Sequence, residues 1–589
     1  MKIKSILINN WRSINSLEAS FEDISIIIGQ NNHGKSNIIT ALLFFFGKIK
    51  PEIKDFFNPN EISFVEIKFS DLDDSDKITF RKYLDNEENI KVRKVITLDL
   101  KFSYHGYLQQ LDEEWLNHNN SSDYTNREIV SETPLINYIP EAGRLTKAII
   151  EEAQTRYIEE NIANLNYTYS LEENNFLGLK TVAQSIFGDI FFIPAIKNAN
   201  DELNPNKSNL FSELYGKILN RLAENNPIYI EARRQVNQLA SILNKITLEG
   251  NPNNDRPEEL NDFEENISQE LLSWNTSIEV EITAPNIDDI FKVGTQIWVD
   301  DGIKTDVTRK GNGLQRALIF ALIKAYSNIV RNDRENVNEE QARQVSNSSY
   351  FIIEEPELFL HPQAQRDLHE TLKTLSQTNN NQVILTTHSS SFIDLENYKS
   401  IIIAQKRTIE EGTKIKQCTA DLFVEMDERR KLNLIYWINP ERSELFFARK
   451  IILVEGQTDK TIIPYLAKKL NIFKNEYTII DCGSKDNMPL YIKLLNGFKL
   501  KYVAVYDRDH QAHKNPDAIN SADISTASIE NAIDVRFGIS VVLINDIEEE
   551  IGVAERNNKN KPFIALNLVS NAAYEVPIQI RDKVTAIYE

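Results

Sequence analysis

Cysteine is nearly absent: Cys418 and Cys482 are the only two in 589 residues. So far apart, they exclude a disulfide framework or a cysteine-only zinc site, and a reducing compartment is the expectation. No apolar run approaches the roughly 20 residues that span a bilayer. Residues Met1 to Asn10 alternate instead of forming the continuous apolar stretch of a secretory leader. A cytoplasmic protein without a membrane partner is expected. Basic charge is short as well, with 66 Lys and Arg against 87 Asp and Glu, a formal net charge of −21. Any nucleic acid must then be held by local basic patches against an unfavourable overall field. That excludes a nonspecific coat protein but not an enzyme that handles nucleic acid with metal ions.

What is present is an ordinary globular composition, 41% hydrophobic and 26% charged, in a chain long enough for several domains. Polar stretches at 112–132, 249–261 and 331–349 hold few apolar residues and predict loops or partly ordered insertions. Short apolar runs at 24–28, 350–353, 383–385, 451–454 and 502–506 predict buried strands of an α/β sheet. Leu214, Ile218, Leu219 and Leu222 carry helical spacing, so 146–275 predicts a helical insertion, without a chemical motif and suited to scaffold or dimer contact.

The strand ending at Ile28 runs into Gly29-Gln-Asn-Asn-His-Gly34-Lys35-Ser36 and then an apolar helix, the context a phosphate-binding loop requires. Glycines let backbone N–H groups wrap the phosphates, Lys35 neutralises the terminal ones and Ser36 offers a hydroxyl to Mg²⁺. Asn32, Gly34, Lys35, Ser36 and Asn37 are the candidate ATP contacts here. A second strand ends in Glu354-Glu355-Pro-Glu357, where Glu354 can hold the nucleotide's metal and Glu355 can orient or deprotonate the attacking water. A third delivers His388, and Lys310-Gly-Asn-Gly313-Leu-Gln-Arg316 is a glycine turn opening a helix whose amino terminus suits an anion.

Farther on, Glu455-Gly456 ends another buried strand, and Gly456 lets the chain turn into a helix that puts Asp459 one turn from Glu455. The strand 502–506 ends in Asp507-Arg-Asp509, whose alternating carboxylates point the same way. Four acids on strand ends repel unless cations sit among them, and oxygen ligands suit Mg²⁺ or Mn²⁺. Two such ions about 4 Å apart can activate water and stabilise the leaving oxygen of a phosphodiester. His510 and His513 read as bystanders, Cys482 as a small core residue, and Lys485 as a contact to substrate phosphate.

Together, Asn10-Trp-Arg-Ser13, the loop 29–36, Gly311-Asn-Gly-Leu-Gln-Arg316, Glu354-Glu355-Pro-Glu357 and Thr387-His388 resemble the RecF and SMC branch of ABC ATPases. Glu354 to His361 resembles the OLD (overcoming lysogenization defect) family of ATP-dependent nucleases, and Glu455-Gly with Asp507-Arg-Asp509 resembles the metal site of the Toprim fold. The resemblance implies an α/β chain: an ABC-type head at 1–145 and 276–440, a dimerisation insertion at 146–275 and a Toprim nuclease domain at 441–589. It adds Arg12, Asn312, Gly313, Gln315 and His388 to the nucleotide contacts, with Asn312 replacing the usual signature serine. It makes Glu455, Asp507 and Asp509 metal ligands or acid–base groups with Asp459 assisting, gives Asp546 and Glu548 to the other metal, and makes Lys561 the cation at the phosphate. The head sandwiches ATP between two copies, so a homodimer or larger assembly is implied.

The leading expectation is therefore an ATP-regulated, metal-dependent DNA endonuclease in anti-phage defence. It works alone or with a helicase, or with a reverse transcriptase and its noncoding RNA and DNA product. The alternative is a nucleotide-switched RecF/SMC-like DNA-binding or repair protein whose Toprim acids are structural. A topoisomerase ranks last, because none of the 21 tyrosines has the setting of a strand-attacking residue.

Overall fold

A computed structural model describes residues 1–161, 165–178, 186–195, 226–246, 252–271, 278–281, 295–333, 348–377, 380–423, 440–511, 514–553 and 560–589, with residues 215, 276, 346 and 428. The chain folds as two compact units: Met1–Ile190 with Glu339–Glu357 and Gln365–Glu589, and Phe191–Asn338 with Leu358–Ala364.

In the first unit, Ile24–Ile28 is the middle of a parallel set, flanked by Asn381–Thr386 and Ile401–Lys406, with Ser349–Glu354 beyond Asn381–Thr386. All five residues of Ile24–Ile28 and all six of Asn381–Thr386 are buried, as expected where both faces of a parallel sheet are covered. An antiparallel edge strand, Thr413–Gln417, pairs with Ile401–Lys406. A second, antiparallel sheet has Lys2–Trp11 between Ile14–Ser20 and Ser63–Ser70, continuing through Ile90–Ile96, Phe102–Leu111 and Tyr167–Leu171.

Helix Lys35–Phe45 carries an aromatic cluster that ties the two sheets together. Its apolar run, Ile38 to Phe46, is too wide for a one-sided helix, and a helix apolar all round belongs in a core. Phe44 stacks on Trp11 at 5.0 Å and Phe45 meets Tyr104 edge-on at 5.6 Å, both on the antiparallel sheet, while Phe46 meets Tyr350 of the parallel sheet at 5.1 Å. The phosphate loop therefore opens onto a helix with little freedom to tilt.

Residues 450–589 form a four-stranded parallel sheet in the order Tyr477–Asp481, Lys450–Val454, Tyr502–Asp507, Gly538–Leu543. The chain leaves Lys450–Val454 toward one edge and returns to add the last two strands on the other side. A crevice opens where that direction reverses, outside the carboxyl ends of Lys450–Val454 and Tyr502–Asp507. Ile462, Ile463 and Leu466 of helix Gln457–Lys469 pack with Ala565, Val569, Val584 and Ile587 in one buried cluster.

The predicted strands all form. Two predictions fail: 146–275 is not wholly a helical insertion, since the aromatic and β-branched run Tyr167–Leu171 pairs with Phe102–Leu111 in the antiparallel sheet, and 112–132 is not a loose loop. Short helical turns there place Leu116 and Val130 in a satellite core with Leu135, Ile150 and Ala153 of the following segments. Two well-spaced apolar residues suffice because helix Lys147–Asn161 supplies the other face, which composition alone does not reveal. Helices Pro227–Leu243, Glu258–Glu270 and Asn312–Asp333 belong to the second unit, the last starting at the glycine turn itself. Leu214, Ile218, Leu219, Leu222 and His513 lie outside the described residues. Among the described residues no helix is long and apolar enough to cross a membrane.

Candidate active site

The carboxylates predicted from sequence converge at the crevice of the four-stranded sheet. Glu455 follows Lys450–Val454 directly, and its Oε1 accepts the Asp507 N–H at 2.6 Å across the strand ends. Asp459 sits in the first turn of helix Gln457–Lys469, where its Oδ2 accepts the Gly456 N–H at 3.3 Å and it is only 6% exposed. Asp546 caps the turn Ile547–Glu550 through the Glu549 N–H at 2.8 Å, and it and Glu548 are also buried.

The electrostatics of this cluster are unfavourable as it stands. Burial, then Asp459, Glu455, Asp509 and Asp546, push the Asp507 carboxyl up to about 10. Burial, then Glu455 and Glu548, push Asp459 to about 8, and burial lifts Glu455 to about 7. One oxygen of Asp507 and one of Asp459 are buried without any hydrogen-bond partner among the described residues. Buried carboxylate oxygens with nothing to accept are what cations stabilise, and an all-oxygen set fits Mg²⁺ or Mn²⁺. Among the described residues no three of these groups already stand as a closed ligand set. Glu455 is turned to the Asp507 N–H and Asp509 to Lys514, whose Nζ lies 2.6 Å from Asp509 Oδ1.

Lys485, which the sequence offered as a contact to substrate phosphate, and two groups that it left aside also lie here. Lys485 is bound inward, donating to the Asp507 carbonyl, and so does not face a substrate phosphate. Gln511 donates to Asp546 Oδ2 at 3.3 Å. Gln511 and Lys514 belong to no recognisable pattern, since each is placed by a turn and not by spacing. Lys561 begins helix Lys561–Ser570 half-exposed, 3.7 Å from Glu548. His510 pairs with Asp523 at 2.7 Å, and Cys482 is fully buried.

At the phosphate loop, Gly29, Asn32 and Gly34 hold φ of 148°, 64° and 91°, a left-handed path that glycine tolerates. Lys35 folds back on the loop, donating to Gly29 O at 3.0 Å and Gln30 O at 3.2 Å and meeting His388 Nε2 at 2.8 Å. Burial and the Lys35 ammonium hold His388 below its ordinary value. Glu357 fixes that histidine's turn: Oε1 accepts the His388 N–H at 2.6 Å and Oε2 accepts from Thr387 Oγ1 at 2.7 Å. This positioning role was not legible in the sequence, where Glu357 is only the last acid of a motif.

Glu354 closes its strand, and Glu355 takes φ 44° beyond it, 3.8 Å from His388 Nε2. Ser36 is exposed, Asn37 donates to Ser13 Oγ at 2.6 Å, and Arg12 is paired with Asp55 at 2.9 Å. In the second unit, Asn312 is exposed and Gly313 begins the helix with it. Gln315 is buried and donates to Val307 O and Lys310 O, both at 2.9 Å, which closes the turn.

A family model described as AAA ATPase domain matches residues 1–393, and one described as overcoming lysogenization defect protein-like, TOPRIM domain matches 446–509. The chain belongs to this ATPase family and carries an OLD-like TOPRIM domain behind it. It is similar to the Old nuclease of Escherichia phage P2, 24% identical over 548 residues, which are 90% of this chain and 82% of the relative. An OLD nuclease of Thermus scotoductus is 25% identical over 213 residues, 35% of this chain and 37% of the relative. Endonuclease GajA of Bacillus cereus is 27% identical over 183 residues, 28% and 26% of the two chains. Among solved structures, an SMC head bound to the C-terminal winged-helix domain of ScpA matches at 13% identity and TM-score 0.33, covering 70% of this chain and 97% of that one. The TOPRIM domain and the ATPase head thus hold the carboxylate crevice and the phosphate loop, respectively.

Proposed function

We propose that the protein is an endonuclease that hydrolyses DNA phosphodiesters with Mg²⁺ or Mn²⁺ in its TOPRIM domain, under control of ATP bound at the head. The observation that carries this reading is the pair of buried, unpartnered oxygens on Asp507 and Asp459 at the reversal point of the sheet. Three relatives whose names contain nuclease or endonuclease support it.

Glu455, Asp459, Asp507 and Asp509 would hold one ion, and Asp546 and Glu548 the other. Bound divalent ions supply a polarised phosphate and a water ionised near neutral pH. Lys561 puts a cation at the rim of the cluster, where charge develops on the phosphate.

At the head, the loop with Asn32, Gly34, Lys35, Ser36 and Asn37 would take the triphosphate, aided by Arg12. Glu354 and Ser36 would hold its Mg²⁺, and Glu355 and His388 would place the water. Asn312, Gly313 and Gln315 of a second copy would close the site, making the working form at least a homodimer. The family resemblance adds a cytoplasmic role against bacteriophage, and a helicase or reverse transcriptase as the class of partner.

Plasmid cleavage by the wild type and Asp507→Ala, in Mg²⁺ and Mn²⁺ with and without ATP, tests this. Metal-dependent nicking or linearisation that vanishes in the variant is expected. No cleavage in any condition overturns the autonomous nuclease and favours a nucleotide-switched DNA-binding protein.

A further inference from the structure

Lys485 is placed by unusually rigid surroundings for a lysine. It follows Tyr477–Asp481 through a tight turn in which Gly483, at φ 78°, donates its N–H to Asp481 Oδ1 at 2.7 Å. Asn487 Nδ2 donates to Cys482 O at 3.1 Å, and the Cys482 N–H donates to Val454 O at 2.9 Å, which anchors the turn to the central strand. The lysine side chain is 8% exposed. From this edge strand it crosses the carboxyl end of Lys450–Val454 to the strand on the far side. There Nζ donates to the Asp507 carbonyl and lies 3.8 Å from Asp509 Oδ2.

The start of the Asp507–Asp509 turn is held by the Asp507 N–H donating to Glu455 Oε1 at 2.6 Å and the Arg508 N–H donating to Leu543 O at 2.9 Å, and the reach of Lys485 matters for its far end, Asp509. Asp509 has φ 65°, a conformation that costs a non-glycine residue free energy. Its N–H reaches Asn545 O only at 3.4 Å. Lys514, more exposed, pairs with the other Asp509 oxygen. A buried ammonium bonded to the main chain at one end of the turn and facing the side chain at the other fixes both carboxylates at once.

We propose that Lys485 is the positioning residue of the metal site, holding the Asp507–Asp509 turn in the shape that presents both carboxylates to a divalent ion. The proposal rests on the nuclease reading. Its sign is opposite to that of simple electrostatics: removing a cation beside a metal site would by Coulomb's law alone tighten metal binding. Loss of a positioning group weakens it, typically about 10- to 100-fold.

The test is Mg²⁺ and Mn²⁺ binding to the full chain by calorimetry, for wild type, Lys485→Met, Lys485→Arg and Asp507→Ala, with ATP binding as the control for folding. Lys485→Met is expected to bind metal about 10- to 100-fold more weakly, with Lys485→Arg recovering part of the loss and ATP affinity kept. Unchanged or tighter binding in Lys485→Met, with Asp507→Ala still impaired, overturns the positioning role alone. Equal metal binding by wild type and Asp507→Ala overturns the nuclease reading beneath it. If Lys485→Met also loses ATP binding, Lys485→Arg decides: weakened metal binding with ATP retained supports the proposal, and wild-type metal binding in that variant overturns it.

Discussion

Replacing Asp507 by its neutral isostere should stabilise the metal-free protein, and increasingly so as pH rises. The ordinary aspartate value is 3.8, and in the fold Asp507 is pushed up to about 10 by burial and four neighbouring carboxylates. Between those values the folded chain holds a proton that the unfolded chain has released, so stability falls with rising pH. The slope is about 1.4 kcal/mol per pH unit for one such group. From pH 5 to pH 8, three units inside that window, the wild type should lose about 4 kcal/mol relative to Asp507→Asn. For a domain of about 140 residues, at about 3 °C per kcal/mol, the gap in Tm should widen by about 12 °C. Thermal denaturation in EDTA at pH 5, 6, 7 and 8, followed by a signal from the TOPRIM domain, measures it. Adding Mg²⁺ should raise the wild-type Tm at pH 8 and leave Asp507→Asn nearly unmoved. A gap that stays constant over the series, or an asparagine variant less stable at pH 8, would refute the reasoning that the cluster is strained for want of a cation.

Two further outcomes concern the head. Glu357→Gln keeps the side chain's size but removes the charge that accepts from Thr387 Oγ1 and the His388 N–H. ATP hydrolysis should fall about tenfold, as when one charge-assisted hydrogen bond of 1.5–3 kcal/mol is weakened, with ATP binding retained. Equal loss of both in a nucleotide-binding titration would contradict a positioning role. Gly34→Ala should abolish binding of a fluorescent ATP analogue, because φ is 91° and the added methyl would collide with Thr413 Oγ1. Retained binding would mean that the loop reshapes at little cost.

The sequence by itself determined which chemistries the chain carries. A phosphate loop needs a buried strand, glycines and a helix in immediate succession, and residues 24–45 supply all three locally. The buried strands are similarly legible, because full burial on both faces demands unbroken apolar runs such as Ile24–Ile28 and Ile451–Val454. Glu455 and Asp507 could be named because each ends such a run.

Only tertiary structure decided what those groups do to one another. That Asp459, Asp546 and Glu548 raise the proton affinity of their neighbours depends on strand order and burial, which no local pattern encodes. The inward turn of Lys485, the Glu357 clasp on His388 and the satellite core around Leu116 are contacts between segments distant in sequence or joined by irregular turns. Spacing marks residues that share one strand or helix. It carries no trace of partners brought together when separate elements pack, and there the energetic character of this site is set.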